Sequence, residues 1–521
     1  MASIPYAWQE RLFGVVEAIP PLDRAVNRWA INRTVNRARA RPHPMSTVHD
    51  YVSWTGLTDR RGSGRHLPPV KRNDLPPEAE LVDLFKRRND EQRMCPKSTC
   101  LFPAFAQYLT DGFLRTETEE LTPDGKKIEN RLRRNTSNHE IDLCTLYGRT
   151  PEQTQALRLK SETPGERGRL IFQTIDGEDY APFLYRDDGT RDPRFEVLDP
   201  PLGTSDISDE QRSKLFAFGG DRVNSVPQTS MLNILFLREH NRLAGEIEAE
   251  HPDWDDTRIF ETARNTNIVL FIKIVVEDYI NHISPLPYRL KADPSVCWDA
   301  PWNKPNWITT EFSLLYRWHA LIPDQIRWGD DLVPVLKTFR NNDLLIRNGL
   351  LQACVDLSDT QAAELGPRNT HDGLLEVERR SIEQDRFCDL ASFADYCDYL
   401  GVAPPSFWES VSTDEEVAGL LESHYDNPRD IDFHVGIFCQ DRVPNSPLPK
   451  IVLYFVALDA FSQALTNPLL SRHVFKASTF SRPGWEAIQQ TTSLRDVVDR
   501  NVPGGAGDAF ISMTRKEWEP E

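Results

Sequence analysis

The chain has 521 residues, above the size at which single hydrophobic cores stop growing, so two units or one large domain with an appendage are expected. Hydrophobic residues make up 39% and charged residues 27%, a globular balance rather than a disordered one. A formal charge of −18 argues for solubility and against a nucleic-acid partner, which would need a broad basic surface.

The charge is uneven, because residues 1–75 hold twelve Lys and Arg against six Asp and Glu. Residues 5–41 read as one or two short helices interrupted by Pro20 and Pro21. Trp8, Leu12, Val15 and Val16 fall at helical spacing, and Leu22, Val26, Trp29 and Ala30 repeat the pattern beside Arg24, Arg28, Arg33, Arg37, Arg39 and Arg41. Two readings stand side by side: a helix lying in a membrane interface, and a docking helix with a solvated basic face. The opening MASIPYAWQERLFG lacks a basic stretch followed by an apolar one, so it does not read as a secretory signal. No apolar run reaches 18 residues, and no transmembrane helix is expected.

Residues 42–80 are rich in Pro, Gly and Arg and read as extended connecting chain. From about 81 onward the pattern is mostly helical. Strong helix candidates are 231–247 (MLNILFLREHNRLAGEI) and 267–282 (NIVLFIKIVVEDYINH), the second apolar nearly all round as in a large core. Loops are expected over 121–135, 161–168, 186–206 and 440–449. The eight cysteines are scattered without a CxxC pair, which fits reduced thiols better than disulfides or a zinc site. The expected fold class is mainly α, divided into a basic segment and linker over 1–75 and a catalytic domain over 76–521.

The chemistry concentrates in TEFSLLYRWHALIPDQI, where Tyr316 and His319 stand three apart and would share one helical face. A neutral imidazole is a normal haem-iron ligand whose other ring nitrogen needs an orienting partner. A phenol near the macrocycle edge is a redox partner. By itself the pair is weak evidence, and a core tyrosine with a hydrogen-bonded histidine is the commoner meaning of such a spacing.

The surrounding residues resemble the proximal helix of the animal-type haem peroxidases, and within them the cyclooxygenases and fatty-acid dioxygenases. Their Glu-Phe-x-x-x-Tyr-x-x-His-x-Leu-x-Pro-Asp pattern is matched by Glu311, Phe312, Tyr316, His319, Leu321, Pro323 and Asp324. The likeness continues in order through HDYVSW (49–54), LPPV (67–70), FAQYLTDGFLRT (105–116), NHEIDLCTLYG (138–148), IDGEDYAP (175–182), GDRVNSVPQTSMLNILFLREHNRLAGEIEAEHPDWDD (220–256) and NPLLSRHVFKASTF (467–480).

The resemblance implies a large helical haem-peroxidase domain holding haem b without a covalent link, with His319 as the iron ligand. It implies Tyr316 as the residue that takes hydrogen from an unsaturated fatty acid before O2 adds. Arg222 matches the distal arginine, with two readings open: a cation stabilising peroxide charge, or a partner of a haem propionate or nearby carboxylate. Ser225 stands where some relatives carry an ester-forming glutamate. Tyr425, in HYDNPRDIDFHVG, either orients His319 or is a packed core tyrosine. His240 reads as structural.

The sequence departs from the family on the distal helix, where Gln107 is followed at four residues by Asp111 instead of histidine. An unperturbed carboxyl, near ~3.9, is already ionised at neutral pH, whereas burial would raise it. Weak peroxidase turnover is therefore expected. Asp142 matches one calcium ligand, but Gly112 replaces another, so calcium is not favoured. Ala460 occupies the position of the aspirin-sensitive serine, with Ser462 two residues on. Arg37, Arg39 and Arg41 are the candidates for holding the fatty-acid carboxylate. The disulfide-rich module of the animal enzymes is missing, so an intracellular protein is expected, cytoplasmic or peripheral on a membrane face, with a homodimer allowed. The leading expectation is a haem-dependent fatty-acid dioxygenase. The alternatives are a haem peroxidase acting on small donors and a haem-binding homologue without turnover.

Overall fold

In the helix Pro227–Glu250 every residue from 227 to 240 is buried, polar and apolar alike, as in a helix surrounded by other helices. It packs against the helices Leu101–Phe113, Asp256–Ile274, Asp343–Asp359 and Ala477–Gln490. Two of its buried polar side chains are held by specific partners. Glu239 accepts from Arg242, Arg500 and Asn501, while His240 meets the Tyr147 hydroxyl at 2.9 Å and the Gly168 carbonyl at 2.9 Å. His240 is thus part of the core, as its sequence context suggested.

This computed structural model describes residues 4–37, 63–89, 91–116, 135–303 and 308–521. Helices dominate, and the named strands among the described residues form three two-stranded antiparallel pairs. One of these positions the site. Strand Met94–Thr99 pairs with Gln361–Ala363, and Cys100, which follows it, donates its backbone N–H to the Thr360 carbonyl at 2.8 Å. The helix Leu101–Phe113 therefore starts from a fixed point.

The predicted helix over 267–282 is corrected in one respect. An α-helix runs over Asp256–Ile274, widens into a π-helical stretch at Val275–Ile280, and closes with Asn281–Ile283. Such bulges shift the register of a helix face and are frequent at functional sites. Here the stretch carries Tyr279, whose hydroxyl donates to that of Tyr316 at 3.3 Å.

At the N-terminus, helices Tyr6–Glu17 and Pro20–Arg37 form as expected, but the expected apolar stripe faces outward. Docking uses Asp23, Asn27, Ile31 and Val35, all buried, and Tyr288 donates to the Asp23 carboxylate at 3.0 Å. Trp8 is 63% exposed, Leu12 56%, Val15 61% and Trp29 52%. All eight cysteines are buried thiols outside any disulfide. No helix among the described residues is long and apolar enough to cross a membrane.

Candidate active site

The distal wall comes from one face of Leu101–Phe113. Cys100, Pro103, Ala104, Gln107, Asp111 and Leu114 recur at spacings of three and four and line a cavity of about 470 Å³. The opposite face is apolar and aromatic. Phe105 and Tyr108 lie against Phe271, and the Tyr108 hydroxyl donates to Asn233 at 2.8 Å. The helix is thereby locked in rotation, with Gln107 and Asp111 turned to the cavity.

Arg222 reaches the same cavity from a loop held by close backbone approach. Gly220 donates its N–H to the Thr145 carbonyl at 3.0 Å, and a Cβ on Gly219 would lie 2.2 Å from the Gly148 nitrogen, so only glycine fits there. Asp221 is fixed by Arg115 at 2.9 Å and Arg149 at 3.5 Å. Arg222 itself donates to the Leu114 carbonyl at 3.1 Å and lines the cavity beside Asp111 and Ser225.

The proximal wall departs from the single helix expected to carry Tyr316 and His319. Thr309 caps a helix over Thr310–Leu315 by accepting from the Phe312 N–H at 3.0 Å, and the chain then leaves helical geometry at Tyr316 and Trp318. A new short turn begins at His319. The break has a geometric result. Four consecutive residues cannot share one face of a helix, yet Tyr316, Arg317, Trp318 and His319 all line the cavity.

His319 turns Nδ1 toward Glu378 Oε1 at 3.2 Å, which leaves Nε2 as the ring nitrogen available to a metal. Glu378 sits on the helix Leu375–Phe387 and is buried. Glu378 thus makes the contact expected of Tyr425. The Tyr425 hydroxyl instead donates to Asp432 at 2.7 Å, in a cluster with Arg72 and Arg386, so Tyr425 is corrected to a packed and hydrogen-bonded core tyrosine.

Electrostatics separate the two walls. Burial raises the Asp111 carboxyl to about 7, against the pull of Arg222 and Gln107. This brings a carboxyl into the range of an unperturbed imidazole. Burial also pushes the Tyr316 phenol up, so it stays protonated at neutral pH. Arg317 is pulled down to about 10 by burial, with its Nε lacking a partner.

These residues fit haem. The cavity has apolar walls from Ala104, Leu114, Val226, Ile322 and Val335, one imidazole whose Nε2 is left for a metal, and the cations of Arg222, Arg317 and Arg340 on its lining, where haem carboxylates could be met. Several buried polar atoms here lack partners: Asp111 Oδ2, Gln228 Oε1, Arg317 Nε and Trp318 Nε1. Ser225 supplies a hydroxyl, not the carboxylate an ester link requires.

Other predicted positions fall elsewhere. Arg37 ends its helix, but its side chain, with Arg39 and Arg41, lies outside the described residues. Asp142 accepts from the Cys144 N–H at 3.0 Å and from Asn138, and burial raises it to about 6. No group of three or more metal-ligating side chains converges among the described residues. Glu378, Arg317 and Tyr279 were missed from sequence. Arg317 carried a readable signal, a charge set inside an aromatic Tyr-x-Trp-His run.

Comparison with known proteins agrees with this geometry. The animal haem peroxidase family profile matches residues 94–510. Prostaglandin G/H synthase 2 of Equus caballus is 28% identical over 513 residues, covering 96% of this chain and 80% of that protein. Among solved structures, peroxidase A from Dictyostelium discoideum superposes with a TM-score of 0.69 at 18% identity, over 90% of this chain and 100% of that one. The Oryza sativa fatty acid alpha-dioxygenase, also solved with palmitic acid, gives a TM-score of 0.70 at 16% identity over 100% of this chain and 94% of that one.

Proposed function

Because the chain belongs to the animal haem peroxidase family, whose members are haem-dependent oxidoreductases, we propose that it is a fatty-acid dioxygenase acting through Tyr316. The observation that carries this reading is a half-buried, protonated phenol on the cavity wall three residues from the imidazole that would bind the iron. Haem b, held by Nε2 of His319 without a covalent link, supplies one-electron oxidising power when bound.

Tyr316, once it has given up one electron and its proton, takes a hydrogen atom from a C–H bond of the fatty acid. The phenol O–H forms as the C–H bond breaks. O2 then adds to the carbon radical, and the resulting peroxyl takes the hydrogen back from Tyr316, so fatty acid and O2 become a hydroperoxide. Tyr279, donating to the Tyr316 oxygen, fixes where that oxygen points. The likeness to prostaglandin synthases and to an alpha-dioxygenase solved with palmitic acid supports a fatty-acid substrate.

A second reading, peroxide-driven oxidation of small donors, is favoured by one observation. Asp111 at about 7 is matched to moving a proton between peroxide oxygens at neutral pH, which a normal carboxylate is not. Arg222 beside it supplies the cation that such charge movement needs. The N-terminal helices, with their outward tryptophans, are proposed as a membrane-facing appendage over 1–75 to the domain over 76–521.

The test is oxygen uptake by haem-loaded protein with oleate, linoleate and arachidonate, followed by mass spectrometry of the products. Tyr316→Phe should abolish uptake while the haem absorption band persists. Undiminished uptake in that variant overturns the radical role.

A further inference from the structure

The proximal histidine does not merely touch a carboxylate; it is the end of a built chain. Glu378 Oε1 meets His319 Nδ1 at 3.2 Å and also accepts from the Thr370 hydroxyl at 3.2 Å. Its other oxygen, Oε2, lies 3.4 Å from Nε2 of His434. The three donors come from three separate segments: the turn at His319, the loop before the helix Leu375–Phe387, and the helix Phe433–Cys439.

His434 is fixed from all sides. Its ring stacks on Phe85 with centroids 5.6 Å apart and stands edge-on to Phe438 at 5.0 Å, and its backbone N–H donates to Asp385 at 2.8 Å. Its Nδ1 is buried with no partner, so the ring proton is assigned to Nε2, where it donates to Glu378. Burial also lowers the His434 pKa, in keeping with a neutral ring. The groups that meet Glu378 all point donors at it, namely His319 Nδ1, the Thr370 hydroxyl and His434 Nε2, so the carboxylate is the form this arrangement accommodates.

We propose that Glu378 is a positioning residue for the iron ligand, with Thr370 and His434 setting its strength as an acceptor. It holds His319 as an Nδ1–H donor and gives Nε2 the character of an imidazolate toward iron. A charged acceptor forms a hydrogen bond about twice as strong as a neutral one, and a carboxylate on the distal nitrogen of a ligating histidine raises ligand basicity. A more basic ligand favours ferric over ferrous iron and so sets the site for oxidation chemistry. This rests on His319 being the iron ligand, as proposed above.

The arrangement predicts shifts of opposite sign, which a packing role does not. Glu378→Gln weakens the acceptor, so the Fe(III)/Fe(II) midpoint potential rises and the ferrous Fe–His stretching band moves to lower frequency. Thr370→Val and His434→Leu each remove a donor that competes for the carboxylate, so the potential falls. Each tenfold change in ferric-over-ferrous preference moves the potential by about 59 mV for one electron. Thr370→Val alters one hydroxyl and remains informative if Glu378→Gln does not fold. A Glu378→Gln potential equal to wild type, or Thr370→Val shifting upward, overturns the proposal. An Fe–His band that survives in His319→Ala overturns the ligand assignment, and the proposal with it. Loss of that band in His319→Ala together with an unmoved Glu378→Gln potential overturns the proposal alone.

Discussion

At Asp111 two requirements meet, since the same burial that makes the carboxyl useful also weakens the fold. Between its ordinary value of 3.8 and its value of about 7 in the cavity, the folded chain holds a proton that the unfolded chain has released. Stability therefore falls as pH rises through that window and stays lower above it. At about 1.4 kcal/mol per unit, Asp111→Asn should stabilise the protein by about 2–4 kcal/mol at pH 8 and by almost nothing at pH 4, read by thermal unfolding. Peroxide-dependent turnover should move the other way. Wild-type turnover should rise through pH 7, and the asparagine variant should lose roughly 100- to 10,000-fold. A variant that keeps its turnover removes Asp111 from proton transfer.

Also at residue scale, the gathering of His319, Tyr316, Gln107, Asp111 and Arg222 on one cavity was legible because a short local pattern surrounds each of them. Glu378 was not. It lies 59 residues beyond His319 in a helix that also carries Glu376, Arg379, Arg380, Glu383, Asp385 and Arg386, so spacing alone does not mark which of them turns to His319. Tyr425 misled for the converse reason. It lies in the correct block, but its hydroxyl is taken by Asp432, and the residue of that block that meets the proximal network is His434.

At the scale of elements, periodicity correctly predicted where helices lie and failed where a helix is broken for a purpose. The unwound turn at Tyr316–Trp318 and the π stretch at Val275–Ile280 both lie in segments of strong helical pattern. Their irregularity comes from tertiary demand: four successive side chains on one cavity, and one tyrosine reaching another. The N-terminal helices show the same limit. Their apolar stripe was visible, but its direction was not, because Asp23 and Asn27 make the docking contacts through specific hydrogen bonds. With Trp8, Leu12 and Trp29 facing outward, the protein should float with liposomes in a density gradient. Replacing those three residues by serine should return it to the dense fraction, and flotation that does not change removes the membrane role.

At the scale of the whole molecule, one continuous apolar core runs from Ile31 in the N-terminal helices to Met513 near the C-terminus. The cavity lies inside this core between the distal helix and the proximal turn. The mainly helical class and the order of the family blocks were legible, since composition and local motifs survive distant divergence. The closure of the chain was not. The Thr99 N–H donates to the Met513 carbonyl at 2.9 Å, and the Ser98 hydroxyl pairs at 2.9 Å with His282, which in turn meets Thr514 at 2.7 Å. Pairings this far apart in sequence leave no periodic trace.

The eight buried thiols make the molecule its own stopwatch for opening. They are distributed from Cys95 to Cys439, and each is reached by an alkylating reagent only when its neighbourhood exposes it. Counting modified thiols against time by intact-mass spectrometry should give a protein that passes from no label to eight in one step wherever opening is global. A partly labelled species that accumulates would mark a segment that opens alone. Haem added beforehand should slow the labelling of Cys100, which lines the cavity, because a ligand that binds only the folded state suppresses opening.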